Sequence, residues 1–181
     1  RTILERCDIN RPNLIKLINH GVDSKSFILS LDESQIRKRM GLTNEKIILS
    51  VGSLSENRNQ ICLINAISKM TKEEIEEIVV FIVGEGPTKA KLQSEINKLG
   101  LSDTIFLLGQ KSYDELSELY TVASVTAVLS KVEGFGRPIL ESFLFGVPVV
   151  AFSDLDAVQD LSKEGCMYLI NERTDEAVCV K

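Results

Sequence analysis

The chain has 181 residues, 44% hydrophobic and 26% charged, enough for one globular domain whose core needs neither metal nor disulfide support. Its formal net charge of −5 gives no electrostatic footprint for duplex nucleic acid or an anionic membrane, so any phosphate must be met locally by a few cations and backbone N–H groups. The four cysteines, Cys7, Cys62, Cys166 and Cys179, form no C-x-x-C pair, which argues against a zinc site or disulfide framework and fits a reducing cytosol.

Residues 1–45 are polar, with a turn at His20-Gly21-Val22-Asp23 and a predicted helix near Glu33–Met40, and they read as a linker leading into a domain that begins at residue 46. The first residues lack the apolar stretch of a signal peptide, and no apolar run approaches the roughly 20 residues of a membrane span. His20 is the only histidine and reads as structural. Because the chain opens without Met and closes mid-pattern at Val180-Lys181, it is expected to be a piece of a longer protein.

Within that domain apolar runs alternate with amphipathic stretches. Ile47–Val51 ends at Gly52; behind the polar Ser55-Glu56-Asn57, a helical stripe of Ile61, Ile64 and Ile67 extends to Met70. Ile78–Val83 ends at Gly84 and is followed by the stripe Leu92, Ile96, Leu99 up to Gly100. Ile105–Leu108 ends at Gly109, and Leu116, Leu119 and Tyr120 form the next stripe. Val125–Leu129, Val147–Phe152 and a weaker Met167–Ile170 complete the series. The runs are apolar at nearly every position, as strands covered on both faces should be. The repeat predicts an α/β, Rossmann-like parallel sheet with right-handed crossovers and helices on both faces.

In such sheets ligands collect beyond the carboxyl ends of the strands. The loop after Leu129 is the richest: Glu133-Gly134-Phe135-Gly136-Arg137-Pro138 leads into a helix that carries Glu141. Pro138 suits the first helical position, the glycines let backbone N–H groups approach a ligand, and a helix start favours an anion. Glu133 and Glu141 beside an anion site make poor phosphate ligands but good acceptors for hydroxyl groups. A molecule with phosphate in the middle and polyols at both ends fits; equally, Glu141 could only complement the helix dipole while Glu133 is solvated. After Val51, Arg58 can reach a phosphate with its planar fork. Gly84-Glu85-Gly86-Pro87 reads as a structural turn, since Glu85 repels anions and Pro87 has no N–H. Gln110-Lys111 offers a base-edge or phosphate contact.

Together these residues resemble the family-4 retaining glycosyltransferases of the two-domain GT-B architecture. The match centres on Glu133-Gly134-Phe135-Gly136 and Glu141, the family's E-x7-E element, followed by Gly146-Val147-Pro148-Val149. In the family's order come His20-Gly21-Val22-Asp23 with Phe27, Val51-Gly52-x-Leu54 with Arg58-Asn59, Gly84-Glu85-Gly86-Pro87, and Phe106-Leu107-Leu108-Gly109. The resemblance implies that Glu141 holds the ribose of a nucleoside-diphosphate sugar. It implies that Glu133, with the backbone of Gly134, Phe135 and Gly136, grips the sugar and distal phosphate, and that Arg58 neutralises the leaving diphosphate. Glu133 and Arg58 are thus the implied catalytic pair; Gly52, Ser53 and Lys111 complete the implied donor site. No cofactor and no essential metal are implied. Residues 1–45 would be linker and tail of an acceptor-binding domain, and 46–181 a donor-binding domain truncated at its C-terminus.

Two departures stand out. The family commonly has arginine where this chain has Ser53, and a Gly-rich turn where it has Ser153-Asp154-Leu155-Asp156. Without the first domain the chain is expected to bind nucleotide weakly and to transfer little. The acceptor, a glycan or lipid-linked glycan, and any membrane contact would fall to that domain; the location implied is cytoplasmic, at most peripheral at the inner membrane face. A non-catalytic nucleotide-binding domain, favoured by Ser53 and the altered turn, and a glycoside hydrolase are the competing readings. Against the latter, the chain has no tryptophan and 6% aromatics for stacking on sugars.

Overall fold

The computed structural model describes residues 21–27, 31–162 and 167–179. His20, Cys7, Cys166 and the Val180-Lys181 end lie outside the described residues. The strands are β1 (Lys46–Val51), β2 (Ile78–Val83), β3 (Ile105–Gly109), β4 (Val125–Val128), β5 (Val149–Phe152) and β6 (Met167–Ile170). The helices are α1 (Glu33–Met40), α2 (Gln60–Ile67), α3 (Lys72–Glu76), α4 (Lys89–Lys98), α5 (Tyr113–Val122), α6 (Arg137–Leu144), α7 (Asp156–Leu161) and α8 (Asp175–Val178). All six strands pair in parallel in the order β3-β2-β1-β4-β5-β6, which is the expected Rossmann-like α/β sheet. The order reverses between β1 and β4, so the chain leaves those neighbouring strands in opposite directions and opens a crevice at their carboxyl ends.

Alternation along each strand explains the unbroken apolar runs. Val80 and Ile82 of β2 face one layer, with Leu63, Ile64, Leu92, Ile96 and Ile139 of α2, α4 and α6. Phe81 and Val83 face the other, with Ile36 of α1 and Leu119 and Tyr120 of α5. Ile47, Leu49, Ile64, Ile82 and Ile96 are fully buried, each worth roughly 1.5–3 kcal/mol of burial. Helix α1, which the sequence places ahead of the domain, packs into this second layer through Ile36, capped by an Asp32–Gln35 box.

Several boundaries differ from the sequence expectation. Helix α2 begins at Gln60 rather than behind Ser55, because Asn59 sits in the left-handed region at φ 56° and its side chain donates to the Leu129 carbonyl at 3.2 Å. The helix ends at Ile67, leaving Met70 of the stripe beyond it. Pro138 takes the second helical position of α6, behind Gly136 at φ 72°. The Thr71–Glu74 capping box starts the short α3, which periodicity did not reveal in so few residues.

Candidate functional site

A cleft of about 480 Å³ opens at the switch point between β1 and β4. Gly52 and Arg58 reach it from the β1–α2 loop, Gln110 and Lys111 from behind β3, Tyr113 from α5, and Arg137 and Glu141 from α6. Its size suits a small-molecule ligand.

Arg58 lines the cleft and Glu133 backs it. The guanidinium is ion-paired with the Glu133 carboxylate, whose side chain is only 6% exposed. Ser130 Oγ donates to Glu133 Oε2 at 3.2 Å, and the Gly136 N–H donates to Oε1 at 3.2 Å. Partial burial pulls the Arg58 pKa down from its usual value, but a guanidinium starts high enough to stay charged. Gly52 makes room: a Cβ there would lie 3.4 Å from Arg58 Nε. The loop is also sewn to its neighbour by Asn57. Its backbone carbonyl accepts from the Lys131 N–H at 2.7 Å, and its side chain exchanges hydrogen bonds with Val132 N at 3.1 Å and Val132 O at 3.0 Å. A side-chain amide thus imitates a strand partner and sets the two loops at a fixed spacing.

Glu141 forms the second node. It is 4% exposed, one turn into α6, and receives the Tyr120 hydroxyl at 2.9 Å and Arg137 Nη2 at 3.4 Å. Burial raises its pKa above the ordinary carboxylate value, while Tyr120 and Arg137 pull the other way. Tyr120 is pushed well above its own usual range by burial and by Glu141, so it stays a neutral donor. Arg137 also donates to the Tyr113 hydroxyl at 3.1 Å.

The sequence-derived residues therefore fall into groups. Arg58, Glu133 and Gly136 form one hydrogen-bonded unit; Gly52, Lys111 and Glu141 line the cleft. Lys111 is held by Glu115 at 2.8 Å, and that hydrogen bond first, with the Ser112 N–H, lowers the Glu115 pKa to about 2. Ser53 is exposed, and what it contributes to packing is its carbonyl, which accepts from Gln60 Nε2 at 3.1 Å. Gly134 is exposed and Phe135 half-buried in the loop between Glu133 and α6. Neither acidic residue is solvated, and Glu141 does more than face the helix dipole, since it is locked to Tyr120. Sequence reasoning missed Tyr113, Tyr120, Arg137, Asn57 and Ser130. The first three come from helix stripes or helix starts, and only the fold brings Tyr120 and Arg137 onto the Glu141 carboxylate, with Tyr113 behind Arg137. No group of three or more His, Cys, Asp and Glu among the described residues could hold a metal ion. No described helix is long and apolar enough to cross a membrane.

A parallel doubly wound sheet, with an arginine-bearing loop and a buried carboxylate meeting at its switch point, defines an open Rossmann-like α/β domain with its cleft at the carboxyl ends of the strands. The family model for glycosyl transferases group 1 matches residues 32–178, and the chain belongs to that family. It is 32% identical over 155 residues to an uncharacterized glycosyltransferase of Methanocaldococcus jannaschii, covering 82% of this chain and 39% of that protein. It is 28% identical over 137 residues to a Campylobacter jejuni N-acetylgalactosaminyltransferase acting on an undecaprenol-linked glycan, covering 76% of this chain and 37% of the other. Among solved structures, Anabaena HepE in complex with UDP and glucose superposes with a TM-score of 0.79 at 25% identity, over 93% of this chain and 46% of that one. The chain thus spans less than half the length of these relatives.

Proposed function

We propose that the cleft binds a nucleoside-diphosphate sugar, and that the chain is the donor-binding half of a family-4 glycosyltransferase that retains anomeric configuration. The observation that carries this is the pairing of Arg58 with Glu133 behind the same cleft that Glu141 lines. Such a donor presents hydroxyls, then two phosphates, then hydroxyls; Arg58 and Glu141 line the cleft to meet phosphate and hydroxyl, and Glu133 stands behind Arg58. In support, HepE was solved with UDP and glucose.

In the reaction the bond between the sugar C1 and the diphosphate oxygen breaks, and C1 bonds to an acceptor hydroxyl on the same face. The acceptor's proton leaves with the departing phosphate. Negative charge grows on that phosphate, so Arg58, with Lys111 and the N-terminal end of α6, acts on the transition state. This assigns leaving-group charge to side chains and calls for no essential metal. Glu133 aims Arg58 and retains lone pairs for a sugar hydroxyl; Glu141, already holding one hydroxyl donor in Tyr120, accepts from the ribose.

Calorimetric titration of the chain with UDP, GDP and ADP tests this, alongside Glu141→Ala and Arg58→Ala. One nucleotide should bind selectively, and each variant should weaken it by at least about tenfold, equivalent to about 1.4 kcal/mol. Binding that survives both substitutions would place the ligand elsewhere. Selective binding without any donor hydrolysis when the chain is joined to an acceptor domain would favour a non-catalytic role.

A further inference from the structure

Arg173 stands in the loop between β6 and α8, outside the sequence motifs that mark the donor site. Its guanidinium donates from Nε to Asp154 Oδ2 at 2.8 Å and from Nη2 to Asp154 Oδ1 at 2.7 Å, a two-toothed grip on one carboxylate. The same group donates from Nη1 to the Ser130 carbonyl at 3.1 Å and from Nη2 to the Lys131 carbonyl at 3.2 Å. It also lies 4.6 Å from the centre of the Phe152 ring. One side chain therefore ties together the loops that leave β4, β5 and β6.

The two carbonyls it holds begin the loop that carries Glu133. Ser130 donates its own hydroxyl to that carboxylate at 3.2 Å, and Asn57 grips Lys131 and Val132 from the opposite edge. The Ser130–Val132 stretch is thus hydrogen-bonded on both sides. Glu141 is fixed independently, through Tyr120 of α5 and Arg137 of its own helix.

We propose that Arg173, with Asp154 as its counter-ion, is a positioning residue for the diphosphate and sugar end of the donor, acting through the Ser130–Gly136 loop and leaving the nucleoside end alone. The planar fork makes this a geometric brace: one rigid group holds two carbonyls and a carboxylate at once, which the point charge of a lysine cannot do. Holding a supporting loop to within a fraction of an ångström is what keeps a contact group such as Glu133 in register. The brace also gives the departure at Asp154 a role, since a glycine-rich turn there would leave the guanidinium without its carboxylate.

This role for Arg173 rests on the donor-site reading, and one experiment separates the two. The chain is titrated with three pairs, UDP against UMP, GDP against GMP and ADP against AMP, for the unsubstituted protein and for Arg173→Met, Arg173→Lys and Asp154→Asn, with a thermal melt of each. In the preferred pair, Arg173→Met should lower diphosphate affinity by about tenfold and monophosphate affinity by less than about twofold. Arg173→Lys should recover little of that loss, and Asp154→Asn should show part of it. Equal weakening of both ligands in every variant would mark Arg173 as merely structural and overturn the inference, as would variants that bind like the parent. If the parent chain binds none of the six nucleotides, the donor-site reading itself falls, and the inference with it.

Discussion

At the scale of single residues, the site turns on a carboxylate kept charged against its surroundings. Glu141 is buried, and burial raises its pKa from 4.5, so the ionised form is costly above that value and the cost disappears as pH falls below it. The ribose contact proposed for Glu141 is made by the ionised form. Affinity should therefore fall on acidification while the pH is still above the ordinary glutamate range. Tyr120 opposes that loss by donating at 2.9 Å from a fully buried hydroxyl. Tyr120→Phe removes the donor, so the fall in affinity should begin at higher pH than in the parent; calorimetry across about pH 5–8 measures it, and an unchanged profile would refute the role. Glu141→Gln should show the complementary sign, melting at or above the parent temperature at about pH 7.5 because the buried charge is gone, yet binding nucleotide at least about tenfold more weakly. Glu133 and Arg58 could be singled out in the sequence because each lies in a short stretch after a strand, and Glu141 because of its spacing from Glu133 at the start of the following helix. Tyr120 and Arg173 were not, because each acts on a residue far along the chain, Tyr120 on Glu141 and Arg173 on Asp154, Ser130 and Lys131. Nothing local distinguishes a helix tyrosine that supports a carboxylate from one that fills a core.

At the scale of elements, the strands were readable because double-sided burial leaves continuous apolar runs, and the runs expected to be strands all take their places in the sheet. The helix starts were less so. Ser55-Glu56-Asn57 looks like a cap, but the segment instead makes a turn, with the Arg58 N–H donating to the Ser55 carbonyl at 3.0 Å, and that turn is what brings Asn57 and Arg58 to the Glu133 loop. Read as structural, Gly84-Glu85-Gly86-Pro87 packs directly on the Gly52–Leu54 backbone. The Leu54 N–H donates to the Glu85 carbonyl at 2.9 Å, and a Cβ on Gly86 would lie 2.2 Å from the Leu54 oxygen. Two backbones this close leave no room for a methyl group. Gly86→Ala should push the β1–α2 loop away from β2, costing roughly 2–4 kcal/mol in a urea titration. It should also weaken nucleotide binding, because the displaced loop carries Arg58. Full stability with intact binding would show that the loop yields more readily than its packing implies.

At the scale of the whole molecule, the described walls of the cleft all come from the carboxyl end of one sheet, through the loops after β1 and β3 and the starts of α5 and α6. That arrangement can hold a donor from one side. Transfer needs more: an acceptor hydroxyl aligned on C1 within reacting distance, and exclusion of the water that competes with it. Alignment of this kind is worth effective molarities on the order of 10⁵ M or more, roughly 7 kcal/mol of barrier, and a one-sided cleft supplies little of it. The relatives are more than twice as long as the region they share with this chain, which covers 39% of one and 37% of another. We therefore expect the 181-residue chain to bind nucleotide and hydrolyse donor slowly, with no measurable sugar transfer. Joined to a domain that binds acceptor on the open side of the cleft, it should gain at least about 10³-fold in donor turnover, and only when acceptor is present. Release of nucleoside diphosphate from the preferred donor, with and without acceptor, follows both reactions in one assay. A gain that does not depend on acceptor would mean that the added domain only closes the cleft over the donor. Rapid acceptor-dependent turnover by the chain alone would mean that its single cleft aligns both substrates, and the division of labour inferred from its geometry would be wrong.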